Sequence, residues 1–199
     1  MAVSFEYDFE SAFAAITYLS AQTVPELTKY KICKLLFLAD KYHLVRFGRP
    51  ITGDKYCALP YGPVPSHTLN ILNAAISGEG HGILGERARR LNNALELETQ
   101  YEQPRFRSKV AVDRDHLSDS DLIALNEIVR EYGSLGFEKL KAITHTMFEY
   151  KNAWDDRLQG TNKADMSFES FFEEDPNARA GARDLMIEDD HLRKAAVIG

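Results

Sequence analysis

A predominantly helical α+β fold, a compact helical domain with a small β-hairpin, is the class this sequence predicts, and three observations carry it. Apolar residues recur at steps of three and four in several segments that begin at capping residues and end at glycine. Two adjacent runs with period two lie between Leu95 and Val112. Between Arg49 and Pro65, Pro50, Gly53, Pro60, Gly62, Pro63 and Pro65 forbid any long helix.

The elements follow in order. Phe9, Ala12, Phe13, Ile16 and Leu19 give the first helix. Thr23, Pro25 and Glu26 have the spacing of a capping box, which predicts a second helix from about Pro25 to Phe47. Its apolar residues Ile32, Leu35, Leu36, Phe37, Leu38, Ala39 and Tyr42 fall on several faces, so this helix is expected to be central, with Gly48 as its stop. Tyr56 to Leu59 can be a short strand. Pro65 suits the first turn of a third helix, with Leu69, Leu72, Ala75 and Ile76 as its stripe and Gly78 as its end. Leu95, Leu97, Thr99 and Tyr101, then Phe106, Ser108, Val110 and Val112, read as a hairpin across Gln103-Pro104. Ser118 with Asp121 opens a helix through Leu122, Leu125, Val129 and Tyr132 to Gly133, and a shorter helix runs from about Glu138 to Met147. The segment 161–199 is expected to be partly helical through Phe168, Phe171 and Phe172, packed on or extending from a main domain at 1–160.

Composition narrows the class. The chain has 199 residues, 44% hydrophobic and 27% charged, ordinary values for a soluble globular protein. A net charge of −6 argues against a surface built wholly for nucleic-acid phosphates. Nine acids against four cations from Asp165 onward hold −5 of that charge. Cys33 and Cys57 are too few for a disulfide framework or a zinc site and point to a reducing, cytoplasmic setting. The acidic N-terminus does not resemble a signal peptide, and no apolar run reaches membrane-spanning length, so no membrane partner is expected.

No motif commits the chain to chemistry. Gly80-His81-Gly82-Ile83-Leu84-Gly85 spells G-x-G-x-x-G, but it follows a helical segment where a dinucleotide site needs a strand. The six histidines are scattered, and His145 with Glu149 gives two residues on one helical face, too few for a metal. Cys33 lies in apolar surroundings, and Ser66-His67 are neighbours that do not face each other. Arg87, Arg89, Arg90, Arg105, Arg107 and Lys109 could form a basic face for phosphates, but they read better as a solvated surface, or as neutralising the chain's own acidic tail. The expectation is no catalytic residue, no metal, no cofactor and no small-molecule substrate.

One stretch is specific: Lys34-Leu35-Leu36-Phe37-Leu38-Ala39-Asp40-Lys41-Tyr42-His43, then Gly48-Arg49-Pro50-Ile51-Thr52-Gly53-Asp54-Lys55-Tyr56, then Tyr61-Gly62-Pro63-Val64-Pro65-Ser66. It resembles the core signature of the Panacea domain family, the SocA-like antitoxins, with weaker likeness at Ser134-Leu135, His145 and Ala153-Trp154. The resemblance implies a non-enzymatic type II antitoxin that binds a co-encoded protein toxin, often a translation inhibitor such as an alarmone-synthetase-like enzyme that modifies tRNA. Some members instead deliver the toxin to the ClpXP protease. It carries over no catalytic residue.

Physically the signature reads as scaffold. Leu35, Leu36, Ala39 and Tyr42 are core. Gly48 stops a helix, Pro50, Ile51 and Gly53 set a turn, and Asp54 can cap local amides ahead of Tyr56. Gly62, Pro63, Val64 and Pro65 fix how the third helix departs. Lys34, Lys41 and Arg49 are expected to pair with Asp40 or Asp54. A toxin that acts on RNA must expose positive charge, which makes the acidic tail the candidate partner surface: Phe168, Phe171 and Phe172 as anchors beside Glu169, Glu173 and Glu174. The alternative for the phenylalanines is docking onto the domain. On the surface reading, deletion of 165–199 leaves a folded domain that no longer neutralises.

Overall fold

The computed structural model describes residues 2–198, and among them lie eight α-helices, five short strands and one 3₁₀ turn. The predominantly helical α+β class is the one observed. Helix α1 spans Phe9–Ala21, its free amides capped by Asp8, whose carboxylate accepts from Glu10 N and Ser11 N.

Helix α2, Lys29–Phe47, is the central element. Ile32, Cys33, Leu35, Leu36, Phe37, Leu38, Ala39, Leu44 and Val45 are all buried, and α1, α3, α5, α6 and α8 pack around it. Its start corrects the expected capping box at Thr23. The cap is Thr28, accepting from Lys31 N, while Glu26 takes φ 52° in a turn. Tertiary contacts override the local pattern here. Leu27 is buried, its carbonyl accepts from Phe106 N, and Thr28 bridges Arg105, so 23–28 serve the neighbouring hairpin. Gly48 ends the helix at φ +80°.

Two small antiparallel sheets flank it. Strand β1 (Tyr56–Leu59) pairs with β2 (Gly62–Pro65) in the register Tyr56↔Pro65 through Leu59↔Gly62. Gly62-Pro63-Val64-Pro65, expected only to aim a helix, therefore also forms a strand. Its prolines are tolerated because β2 is an edge strand, in the order β2-β1-β5. Helix α3 (Ser66–Ser77) follows and stops at Gly78, φ +72°. Helix α4 (Gly82–Ala94) has no counterpart in the sequence reading. Its buried face is Gly85, Ala88, Leu91 and Ala94, mostly small residues that leave little apolar signal. Strands β3 (Leu95–Glu98) and β4 (Arg105–Ser108) make the expected hairpin, shorter than its period-two runs.

Helix α5, Asp119–Tyr132, has a full capping box: Ser118 accepts from Asp121 N, and Asp121 accepts from Ser118 N. Helix α6 (Phe137–Thr146) ends where Met147 turns extended, and α7 (Phe148–Asp155) restarts immediately. His145 and Glu149 thus sit on different helices, not one shared face.

The tail is woven into the same core. Strand β5 (Ala164–Asp165) pairs with β1, the 3₁₀ turn spans Glu169–Phe172, and α8 (Ala182–Ile198) lies against α2. Only the 3₁₀ turn forms around the three phenylalanines; the long helix lies further on. The N-terminal strap crosses it, with Val3 N donating to Glu169 and Ser4 N to Asp190.

Candidate interaction surface

The signature residues build a buried polar frame. Asp40 accepts from Ile51 N at 2.9 Å, Thr52 N at 3.1 Å, Thr52 Oγ1 at 2.5 Å and Tyr56 Oη at 2.8 Å. This carboxylate templates the Pro50-Ile51-Thr52-Gly53 turn, yet burial pushes its pKa up to about 6. Asp54 caps α3, accepting from His67 N at 2.9 Å and Thr68 N at 2.8 Å. Gly53 is at φ +62°, and a Cβ there would lie 2.1 Å from the carbonyl oxygen of Glu6.

The expected pairing of Lys34, Lys41 and Arg49 with Asp40 or Asp54 does not occur, because amides and hydroxyls already occupy Asp40, and two amides with the His67 ring occupy Asp54. Lys34 is fully buried and donates to Pro63 O at 2.6 Å, and desolvation lowers its ammonium to about 8. Lys41 bridges Glu149 at 2.8 Å and Asp175 at 3.2 Å, tying α2 to α7 and the tail. Arg49 pairs with Asp121 at 3.0 Å. Burial raises the Glu149 pKa, and Lys41 opposes that rise.

Leu35, Ala39, Ile51 and Val64 are core, and Tyr42 is half-buried beneath Arg46, 3.6 Å from the ring centroid. Among the tail candidates, Phe168 and Phe171 are buried. Phe171 sits 5.7 Å from the Phe37 ring and 5.9 Å from Tyr56, and Phe168 meets Phe5 edge-on at 4.9 Å. Glu169 is half-buried under Val3 and Phe172 half-buried, so Glu173 and Glu174 are the exposed members of the set. These two line a groove of about 500 Å³ with Glu127, Glu131 and Asp175, opposite Lys41, Arg46 and Arg130. Arg130 is held by Glu127 and Lys41 by Glu149, which leaves the groove acidic on balance.

Sequence reasoning missed the outer face of α8. Leu185 is 56% and Leu192 64% exposed, seven residues apart on one helical side, with exposed Asp184, Glu188 and Asp189 around them. Their spacing was readable, but the phenylalanines drew attention to the side of the tail that packs inward.

Other sequence candidates separate in space. Arg90 pairs with Glu10, Arg105 with Glu26 and Arg107 with Glu98, so acids of the N-terminal half, not the tail, neutralise the basic face. Ser66 meets Cys57 Sγ at 3.0 Å while His67 turns to Asp54. Burial pushes the Cys33 thiol up to about 12, far from a reactive thiolate. Of the G-x-G-x-x-G stretch only Gly80 and His81 belong to the link after α3, while Gly82 to Gly85 form the first turn of α4, where Gly85 packs against Gly80. Among the described residues no three His, Cys, Asp or Glu side chains gather as a metal cluster, and no helix is long and apolar enough to cross a membrane.

The fold thus defines a helical scaffold organised by a buried carboxylate turn, with the acidic groove and the outer face of α8 on the tail side of α2. Residues 32–155, more than half of the chain, match the family of SocA-like antitoxins with a Panacea domain, and the chain belongs to that family. The match ends before β5, so the 3₁₀ turn and α8 lie outside it. No curated protein and no solved structure matches the chain.

Proposed function

We propose that this chain is a type II antitoxin that neutralises one co-encoded toxin by direct protein–protein binding, and that the toxin is a translation inhibitor working on RNA. Family membership supports an antitoxin role. The observation that supports the binding mode is the outer face of α8, where Leu185 and Leu192 stand exposed among Asp184, Glu188 and Asp189. Apolar anchors flanked by Asp184 and Glu188, unpaired among the described residues, with Asp189 held by Arg193 at 2.9 Å, suit a partner whose active face is basic, as a face that holds tRNA phosphates must be. The charge also speeds encounter. We place the complex in the cytoplasm, where RNA targets lie and the free Cys33 and Cys57 stay reduced.

The test is co-expression with the product of the neighbouring gene. The wild-type chain should restore growth. Glu188→Lys with Leu192→Asp should fold normally, bind the toxin at least tenfold more weakly and fail to protect. Full protection by that variant, or a neighbouring product that is harmless alone, would overturn the reading. Toxin lifetime separates the ClpXP adaptor alternative: an adaptor shortens it in a protease-dependent manner, whereas a stoichiometric inhibitor leaves it unchanged or longer.

A further inference from the structure

A second concave surface lies away from α8, where the starts of α2 and α6 face the loop before β4. It is a cleft of about 650 Å³ lined by Tyr30, Tyr61, Tyr101, Leu135, Phe137 and Leu140. Tyr61 is 60% exposed and Phe137 42%, with ring centroids 5.8 Å apart, and Phe137 also lies 4.5 Å from Tyr30. Aromatic side chains gathered around a cavity and left in water are a feature of interfaces rather than of inert surface.

The frame behind the cleft holds these rings in place. Tyr61 sits in the β1–β2 turn, which Lys34 fixes by donating to Pro63 O and Tyr150 fixes by donating to Leu59 O at 2.9 Å. Gly62, φ +98°, leaves room for this: a Cβ there would come 2.9 Å from Thr144 Oγ1 and 3.1 Å from Lys34 Cε. The Tyr30 hydroxyl is buried and has no hydrogen-bond partner among the described residues.

The local charge is positive. Lys29 donates to Asn73 at 2.6 Å and Lys31 to Pro25 O at 2.7 Å, while Lys141 Nζ lies 5.5 Å from the Tyr61 ring and 5.9 Å from Phe137. None of the three pairs with a carboxylate among the described residues. Arg105 and Glu26 neutralise each other at 2.8 Å. Glu102 on the lining and Glu138 near Tyr30 are the opposing carboxylates, with Lys34 a further cation 4.7 Å from the Tyr30 ring. The first turns of α2 and α6 add their amide dipoles, and Gly136 gives α6 no side-chain cap.

We propose that this cleft docks an acidic peptide segment of a partner protein, which sets an aromatic or long aliphatic side chain against Tyr61 and Phe137 and a carboxylate over Lys141 and the first turn of α6. The site is distinct from the α8 face and goes beyond the antitoxin reading.

The experiment pans a phage-displayed library of random peptides on the immobilised full-length protein. Enriched peptides should combine Asp or Glu with Phe, Tyr, Trp or Leu. The best of them, made synthetically, should bind at least tenfold more weakly to Phe137→Ala, at an exposed ring, and to Lys141→Glu, at a half-buried side chain with no salt-bridge partner among the described residues, with an unchanged melting temperature confirming that each variant is folded. No acidic–apolar enrichment, or unchanged binding by Phe137→Ala and Lys141→Glu, overturns the proposal. Sedimentation of the full-length protein covers the remaining occupant: self-association abolished by Phe137→Ala would put a second copy in the cleft and would also overturn it. Toxin neutralisation is scored separately, so failure here leaves the antitoxin reading untouched.

Discussion

At the scale of single residues, the family signature is a set of buried polar groups whose energies nearly cancel. Lys34 keeps its charge in the core against a lowered affinity for the proton, but removing it would orphan the Pro63 carbonyl, a loss of about 1–3 kcal/mol. Asp40 gives a sharper forecast. Its native pKa of about 6 lies above the unfolded value near 4, so between those pH values the folded state binds more protons than the unfolded one. The stability it adds is therefore complete below about pH 4 and lost as pH rises through 6. Asp40→Asn removes the titration. In urea melts, the advantage of wild type over Asp40→Asn should shrink by up to about 3 kcal/mol from pH 4 to pH 7, and a pH-independent difference would refute the assignment. The signature lysines and aspartates were legible as important, but their partners were not, since Lys41 finds Glu149 and Asp175 more than a hundred residues away.

At the scale of elements, caps close to a helix in sequence were readable and contacts across elements were not. Ser118-Asp121 and Gly48 act where they were expected, because a cap acts within one turn. Thr23 failed because Leu27 had to pack and bridge β4, and α4 escaped notice because Gly85, Ala88 and Ala94 bury a face with scarcely any apolar bulk. Gly48 also serves a second element. A Cβ there would sit 2.8 Å from both Ala182 O and Leu185 Cβ, so α8 docks on the bare glycine. Gly48→Ala should lower stability by about 2 kcal/mol or more and speed hydrogen exchange along α8. Gly78→Ala, also at positive φ but facing open space, should cost only about 1 kcal/mol and leave α8 exchange unchanged. Equal effects from the two would show that α8 does not depend on the α2 terminus.

At the scale of the whole molecule, the family match stops at 155, but the packing continues to α8. A chain ending at 160 would strip β5 from β1 and empty the place of Phe168 and Phe171 beside Phe37 and Tyr56. Two buried phenylalanines represent several kcal/mol, comparable with the net stability of a domain. We expect such a chain to be molten or insoluble by thermal melting and dye binding. A chain ending at 181 keeps those rings and Asp175, and should fold with a lowered melting temperature while losing toxin neutralisation. A cooperative, wild-type-like melt for residues 1–160 would show that the tail is separable.

The helical α+β class, the course of α1, α3, α5 and α6, the end of α2, the turn-rich signature and the family were legible along the chain, because periodicity, capping and punctuation are local and act within a few residues. Only the tertiary structure decided that Lys34 meets a backbone carbonyl while Lys41 meets Glu149 and Asp175, that the tail's phenylalanines face inward while Leu185 and Leu192 face out, and that Tyr30, Tyr61 and Phe137 converge from three separate elements. Those outcomes depend on which surfaces the packed helices bring within a few ångströms of one another, and no spacing along the chain encodes that distance.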